Sequence, residues 1–315
     1  MKKNILKISL IGFVVVCAGV YTFINELVEP PALRTPASHP ANYESLKGCE
    51  KQNVLWQKIQ ETRVTTLPLP ELRKFGFFQF LAMTRQELEI KGQNISDFAP
   101  TGWKKLIHSR GAVAKVKLDI TDKHYSGVFS GAECALLRLS LTFKPGGSKG
   151  VAPGLALKVL RDGTHSANIS ALYGIDGQGE DFNFFRNTLS NIVDPGKTFG
   201  AKMMHNLFEK ASPFPEEIKI EDMALIDAAG KQVTNPVIPR RIFFVPTMTN
   251  QFLSSEHDVR EDFLKIPAGT ALYEIHLASP DGKDLRKVGH IVTASEFTSS
   301  EFGDSGLFFR HQFKY

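Results

Sequence analysis

The stretch "LIHSRGAVAKVKLDIT", residues 106–121, decides the fold. From Ala112 to Ile120 the even-numbered residues are apolar, and from Lys115 onward the odd-numbered residues are charged. An alternation with a period of two is typical of a β-strand that is buried on one face only. His108 stands just before this strand. The sequence therefore raises the question whether His108 is a structural residue at a strand entrance or a group that takes part in chemistry.

The chain beyond this stretch repeats the strand pattern between short turns. In "CALLRLSLTF", residues 134–143, Arg138 and Ser140 alternate with leucines and therefore share one face. The pair Asp162-Gly163 indicates a tight hairpin between the two strands that follow. The predicted strands are residues 112–120, 135–143, 155–161 and 166–173, then "RRIFFVP", "TALYEIHLAS" and "KVGHIVTASEF".

These strands predict an α+β fold: an antiparallel β-barrel, closed or nearly closed, with helical insertions. Arg138 and Ser140 are expected to face either the barrel interior or a pocket covered by a helix. Helical patterns precede and interrupt the strands, in "YESLKGCEKQNVLWQKIQETR", "PELRKFGFFQFLAMTRQELEIK" and "SSEHDVREDFLKI".

The N-terminus differs from the rest of the chain. The basic sequence "MKKNILK" is followed by a run from Ile8 to Asn25 that carries no charge and is just long enough to span a bilayer. We expect residues 1–27 to be an uncleaved signal anchor, or alternatively a cleaved signal peptide. Residues 28–42 form a Pro-rich linker, and residues 43–315 form the body. The body is expected at the cell envelope on the exported side of the membrane, or secreted if the N-terminal segment is removed.

The charge and the cysteine content argue against a nucleic-acid-binding protein and against a disulfide-rich scaffold. The formal net charge of +5 is mild for 315 residues, and no nucleic-acid-binding motif is present, so no nucleic-acid partner is predicted. Cys49 and Cys134 are able to pair in an oxidising compartment, but one possible pair is not a disulfide framework. The prediction for both is a free, buried cysteine.

Three motifs, in order, carry a resemblance to a known family. "IHSRGAVAKVKLDIT" resembles the first barrel strand of the catalase family, and "LLRLSLT" and "PGLALKVLRDG" resemble two further strands of that family; each falls on a strand predicted above. "DSGLFFRHQ", residues 304–312, resembles a pattern found near the end of short catalase-like proteins. The resemblance implies a catalase-like barrel and a haem cofactor, with hydrogen peroxide or an organic hydroperoxide as substrate.

The resemblance also implies roles for single residues. His108 matches the distal histidine that moves a proton between the two peroxide oxygens, and we expect it to point into the barrel. Ser140 matches the serine that holds this histidine through its other ring nitrogen. Arg138 matches an arginine that pairs with a haem propionate. Lys105 stands where the family has a second arginine, and it supplies a positive charge without the bidentate fork.

The family's distal asparagine has two candidates here. The hairpin register offers Asn168, with Ser170 nearby, whereas the aromatic match of "DFNFFRN" offers Asn183. In the second alignment Phe184 and Phe185 form the pocket wall. Both asparagines are kept as predicted catalytic residues.

The sequence departs from the family at the iron ligand. Catalases use the tyrosine of an Arg-x-x-x-Tyr helix, and this chain contains no Arg-x-x-x-Tyr. His311 and Tyr315 are the candidate replacements, because histidine and tyrosine are both haem ligands, and His311 is the predicted metal ligand. Two functions follow: a divergent haem protein of the catalase or peroxidase type, or a haem-free catalase-like barrel that acts as a binding or structural protein at the cell envelope. The sequence does not predict the oligomeric state.

Overall fold

The structure is a computed structural model. It describes residues 40–64, 85–86, 88–90, 97–100, 103, 105, 108, 110–123, 125, 128–143, 151–172, 184–185, 187–191, 202, 211–212, 242–247, 259–278, 285–309 and 312–313.

Strands dominate the described part of the chain. The strands are β1 (Arg110–Ile120), β2 (Cys134–Phe143), β3 (Val151–Val159), β4 (Ala167–Leu172), β5 (Leu189–Ser190), β6 (Ala211–Ser212), β7 (Ile242–Pro246), β8 (Ala271–Ala278), β9 (Leu285–Thr293) and β10 (Gln312–Phe313). The helical elements are a 3₁₀ turn (Tyr43–Ser45), helix α1 (Gly48–Glu61), helix α2 (Val259–Phe263) and a π-helical turn (Phe302–Gly306).

Eight of these strands form a closed antiparallel barrel in the order β1, β2, β3, β4, β5, β7, β8 and β9. The barrel closes where β1 pairs with β9, with Val116 opposite Thr293 and Ile120 opposite Gly289. The remaining strands, β6 and β10, pair with each other in a separate two-stranded sheet. Closure removes the open sheet edges that would otherwise invite pairing with another chain.

The barrel interior is a hydrophobic core to which all eight barrel strands contribute. The even-numbered residues of β1, from Ala112 to Leu118, point into this core, as the alternation in the sequence predicts. Phe263 at the end of α2 also belongs to it and contacts Phe184 with ring centroids 5.0 Å apart. The interior is therefore filled by apolar side chains.

A second hydrophobic cluster covers the outer face of β1 and β2. Leu55 and Ile59 of α1 pack there with Val113 and Leu136, which point away from the interior. Residues 302–309, here called the C-terminal segment, complete the cluster with Phe302, Leu307 and Phe309. We use "outer layer" for the space between β1–β4 and these covering elements.

The predicted fold is confirmed for the barrel. All four predicted N-terminal strands occur, they are consecutive, and they pair in antiparallel fashion. The "RRIFFVP", "TALYEIHLAS" and "KVGHIVTASEF" patterns correspond to β7, β8 and β9. Two of the predicted helices are present in part, as α1 with its preceding 3₁₀ turn and as α2.

The predicted N-terminal anchor and most of the predicted linker lie outside the described residues. Within the part of the chain that the structure describes, no helix has the length and apolar character needed to cross a membrane.

The prediction of free cysteines is wrong. Cys49 of α1 and Cys134 at the start of β2 form a disulfide, with Cα atoms 5.1 Å apart. Their pairing depends on α1 docking against the start of β2, where the buried Gln52 side chain donates to the Val116 and Ala135 carbonyls at 3.0 and 2.7 Å. The sequence spacing of 85 residues gave no hint of this docking.

Replacing both cysteines tests the contribution of this cross-link. Cys49→Ala/Cys134→Ala should lower the free energy of unfolding by about 2–4 kcal/mol, because the cross-link restricts the unfolded chain. Urea unfolding of the oxidised protein, the reduced protein and the variant is the measurement. The reduced protein should match the variant, and equal stability of all three would contradict the prediction.

Candidate functional site

His108 lies on the outer face of β3, directly above Gly154. A Cβ atom added to Gly154 would come within 2.6 Å of the His108 Cε1 atom and 2.7 Å of Nδ1. Gly154 is thus the residue that leaves room for the ring. His108 itself has a φ of 55°, in the left-handed region that non-glycine residues rarely adopt.

The orientation of His108 differs from the prediction. Gly154 pairs with Ser140, and Ser140 pairs with Gly111, so these three positions share one face. This face carries Val113 and points away from the interior core. His108 therefore lies outside the barrel wall rather than inside, because the interior is filled by apolar side chains and the free space is above Gly154.

Ser140 lies beside this histidine but has a different hydrogen-bond partner from the one the catalase resemblance implies. Its hydroxyl donates to the Gly154 carbonyl at 3.4 Å, and the side chain is buried. Arg138 lies on the same face, which confirms the prediction that Arg138 and Ser140 share a face. Both side chains are buried in the outer layer.

The residues after β9 bring a carboxylate to Arg138. They continue along β1, where Val113 and Thr298 exchange backbone hydrogen bonds of 3.0 and 2.8 Å. The π-helical turn then places Asp304 at the start of β1. One of its oxygens, Oδ1, accepts from the Gly111 backbone N–H and from the Arg138 guanidinium, both at 2.8 Å. The Arg138 side chain is 2% exposed and the Asp304 side chain is 16% exposed, so the guanidinium is buried while the carboxylate keeps some contact with solvent.

Lys105 is a second cation at the same place. Its ammonium donates to the Gly303 carbonyl at 3.4 Å and to the Leu307 carbonyl at 3.2 Å, and it lies 5.6 Å from the centre of the Phe309 ring. Burial and the positive charge of Arg138 lower the pKa of Lys105 well below its usual value of 10.5, although Asp304 opposes this shift. Both predicted propionate partners, Lys105 and Arg138, therefore contact the C-terminal segment.

A buried network lies further along the outer layer. Asp97 accepts from Lys158 on Oδ1 at 2.7 Å, and from Tyr43 and Ser166 on Oδ2, each at 2.6 Å. Burial alone would raise the pKa of Asp97, but the Lys158 charge and the three donors outweigh it and lower the pKa. Lys158 also donates to Asn168 at 2.6 Å. This network joins the chain before β1 to β3 and β4, and its groups satisfy one another.

The structure separates Asn168 from His108. Asn168 pairs with Lys158, four residues along β3 from Gly154, which corresponds to about 13 Å along the strand. Phe184 and Phe185 belong to the interior core, on the other side of the barrel wall from His108. Asn183, His311 and Tyr315 lie outside the described residues, so their predicted roles stay predictions.

Two acidic residues of this layer, Asp304 and Asp97, were not predicted from the sequence. Asp304 stands in the quoted "DSGLFFRHQ" pattern, and its acidic side chain was the available signal for a partner to a buried arginine. Asp97 offered no comparable signal, because its partners Tyr43, Lys158 and Ser166 are distant in sequence.

These contacts decide whether the predicted cofactor fits. The resemblance assigns Arg138 to a haem propionate, but Arg138 is buried against the carboxylate of Asp304. Lys105 is held by backbone carbonyls of the same segment. Among the described residues no group of His, Cys, Asp and Glu side chains is arranged to hold a metal ion. In this arrangement the two cations do not fit haem.

Comparison with protein-family models, with curated proteins and with solved structures gave no match. The resemblance to catalases stays a prediction from the sequence motifs.

The contact between Gly154 and His108 makes a sharp prediction. Gly154→Ala should lower the free energy of unfolding by about 1–3 kcal/mol, because the new methyl group overlaps the imidazole ring. The same substitution in a His108→Ala background should cost less, since the ring is gone. A double-mutant cycle by urea unfolding measures the difference. An equal cost in both backgrounds would show that the ring does not lie above Gly154.

The lowered pKa of Lys105 predicts a pH dependence of stability. Below its folded-state pKa, Lys105 is charged in both the folded and the unfolded chain. The full free-energy cost of burying the charged ammonium then lowers the stability. As the pH rises from that pKa towards 10.5, the unfolded chain binds more protons and the folded state gains stability. For each tenfold difference in proton affinity between the unfolded and folded states, the gain is about 1.4 kcal/mol.

The matched variant for this test is Lys105→Met, which removes the charge and keeps an apolar chain. Its stability relative to the wild type should be greatest at the low end of the pH range and should fall as the pH approaches 10.5. Lys117→Met, on an exposed position of β1, controls for the loss of a lysine. Thermal unfolding from about neutral pH up to 10.5 is the measurement, and a difference that does not vary with pH would refute the prediction.

Proposed function

We propose that this protein is a haem-free, catalase-like barrel that acts as a binding or structural protein at the cell envelope. The observation that carries the proposal is the Arg138–Asp304 ion pair at 2.8 Å. A haem protein of this family would need that arginine for a propionate. Here the chain supplies its own carboxylate, and the surrounding C-terminal segment is buried against the outer face of the barrel.

Two features support the location at the envelope. The basic N-terminal residues precede an uncharged run from Ile8 to Asn25, the arrangement of an export anchor. The disulfide between Cys49 and Cys134 is of a kind that persists in oxidising compartments and is rare in the cytosol. The body would then lie on the exported side, held to the membrane by its N-terminal segment.

A second candidate function is a haem protein that acts on hydrogen peroxide or an organic hydroperoxide. The observation that favours it is His108, whose φ of 55° is unusual and whose ring occupies space that only glycine leaves free. Strained residues of this kind concentrate at functional sites. In this alternative His108 would move the proton, and His311 or Tyr315 would be the iron ligand.

Haem binding by the full chain in detergent separates the two functions. We expect no Soret band beyond that of haem in the same detergent without protein, and no peroxidase or catalase activity. The His311→Ala and Tyr315→Phe variants should behave like the wild type.

Haem binding would decide the question in the other direction. A stoichiometric Soret band that changes in His311→Ala or Tyr315→Phe, together with peroxide turnover that is lost in His108→Ala, would establish the haem protein and end the haem-free proposal.

A further inference from the structure

Lys158 lies between an amide and a carboxylate in the outer layer. Its side chain is fully buried, and its ammonium donates to Asn168 Oδ1 at 2.6 Å and to Asp97 Oδ1 at 2.7 Å. Asn168 is the residue directly opposite Lys158 on β4, so the pairing of β3 with β4 brings both side chains to one face of the sheet. The sheet itself therefore holds the lysine nitrogen against the asparagine amide.

The contact with Asn168 Oδ1 also limits the distance to the carbon of the amide. A C=O bond is about 1.23 Å long, so the Asn168 Cγ atom lies no more than about 3.8 Å from the Lys158 nitrogen. Reacting atoms in a near-attack arrangement lie about 3–3.5 Å apart, and a fixed arrangement of this kind replaces the collision of two separate molecules. A small movement of the lysine side chain brings its nitrogen over the face of the amide.

An amine attacks a carbonyl carbon only after it has lost its extra proton, and burial of Lys158 favours that form. Burial is the largest influence on the pKa of Lys158 and lowers it, although the charge of Asp97 opposes the shift. Apolar groups cover the site: the Phe309 ring lies 5.0 Å from the ammonium, and Phe98 packs edge-on against Tyr43 with ring centroids 5.1 Å apart. Buried lysines with a lowered pKa act as nucleophiles in proteins.

Asp97 is placed to carry the proton. Its Oδ1 atom accepts from the Lys158 ammonium, and its Oδ2 atom accepts from the hydroxyls of Tyr43 and Ser166 at 2.6 Å each. The two hydroxyls fix the carboxylate so that Oδ1 faces the lysine. A carboxylate within hydrogen-bonding distance of a reacting nitrogen is able to take a proton from it and to return one.

Lys51 shows that burial of a lysine does not by itself create this arrangement. Its side chain is also fully buried, but its ammonium donates to the backbone carbonyls of Arg161 and Thr164 and lies 3.7 Å from the Glu44 carboxylate. In the described part of the chain no side-chain amide contacts it. Lys158 differs because it has both a neutral amide to attack and a carboxylate to receive its proton.

We propose that Lys158 and Asn168 become joined by an intramolecular amide bond, with Asp97 as the proton carrier. Asp97 takes one proton from the ammonium, and the resulting amine attacks Asn168 Cγ to form the new C–N bond. Asp97 then gives its proton to the amide nitrogen of Asn168 and accepts the second proton of the attacking nitrogen. The old C–N bond breaks, and the departing ammonia carries that proton away as ammonium. No oxidant or further reactant is needed.

The bond gives the barrel a second covalent cross-link besides the disulfide. It fixes the register of β3 and β4 beside the buried network that attaches the residues before β1. Unlike the Cys49–Cys134 disulfide, it is not broken by reduction. The inference goes beyond the proposed function and does not depend on it, because mass spectrometry detects the bond whether or not the protein binds haem.

Tryptic mapping of the folded, full-length protein is the decisive measurement. After reduction and unfolding, trypsin should not cleave after Lys158, because its side chain is acylated. Residues 150–161 should appear joined to residues 162–186 as one branched peptide that is lighter, by one ammonia molecule, than its two parts. Cleavage after Lys51 in the same digest is the internal control. A digest that yields peptide 150–158 and no branched peptide would overturn the inference.

Substitutions test the three roles separately. Asn168→Ala and Lys158→Arg should each abolish the branched peptide. Asp97→Asn should form it at least about 100-fold more slowly in a refolding time course, because a positioned proton carrier contributes on this order or more. The matched control is Ser170→Ala, on the same face of β4, which should keep the bond.

Three results for the folded variants would contradict the inference. The first is a branched peptide that persists in Asn168→Ala, or one that is lost to the same extent in Ser170→Ala. The second is linkage of Lys158 to peptide 92–104, which contains Asp97, with loss of water instead of ammonia. The third is formation at the wild-type rate in Asp97→Asn. If the variants fail to fold by circular dichroism, the peptide map of the wild type decides.

Discussion

The closed barrel with its apolar interior is the constraint on which the other features depend. Because side chains alternate along each strand, filling the interior with the even-numbered residues of β1 sends the other set to the outer face. Arg138, Lys158 and Gly154 all belong to that outer set. The charged groups of this set therefore lie outside the interior core. They are buried in the outer layer instead, beneath α1 and the C-terminal segment.

A charge that is buried in the outer layer needs a partner of opposite charge or a hydrogen bond. The two ends of the layer differ in how fully they supply such partners. Around Asp97 each charged group has a partner of opposite sign or a neutral donor, so this end stabilises the packing of the N-terminal residues on the barrel. Around Asp304 the carboxylate pairs with Arg138, whereas Lys105 donates to two backbone carbonyls, and among the described residues the Arg138 Nε–H has no partner. The Asp304 end of the outer layer is therefore the less compensated of the two.

The sequence predicted the fold better than the site, for physical reasons. Strand alternation and the Asp162-Gly163 turn are local signals, and they placed four consecutive strands within a few residues. The face on which Arg138 and Ser140 lie was also local information. Whether that face points into the barrel or away from it depends on how the whole sheet closes between β1 and β9. The expected inward orientation of His108 was therefore wrong. The Asp304 and Cys49 contacts depend on how segments far apart in sequence dock, which no local pattern records.

Barrel closure also has a consequence for the order in which the chain can fold. The edge of β1 is completed by β9, which is made about 170 residues later. Until then β1 presents unpaired backbone groups along one side, and it carries the alternation of apolar and charged residues that is typical of a strand. Non-local pairing of this kind is slow, and open edges are prone to association with other chains. A newly made chain is therefore exposed to misassembly until its last barrel strand arrives, which makes assistance by a holding chaperone most valuable during that interval.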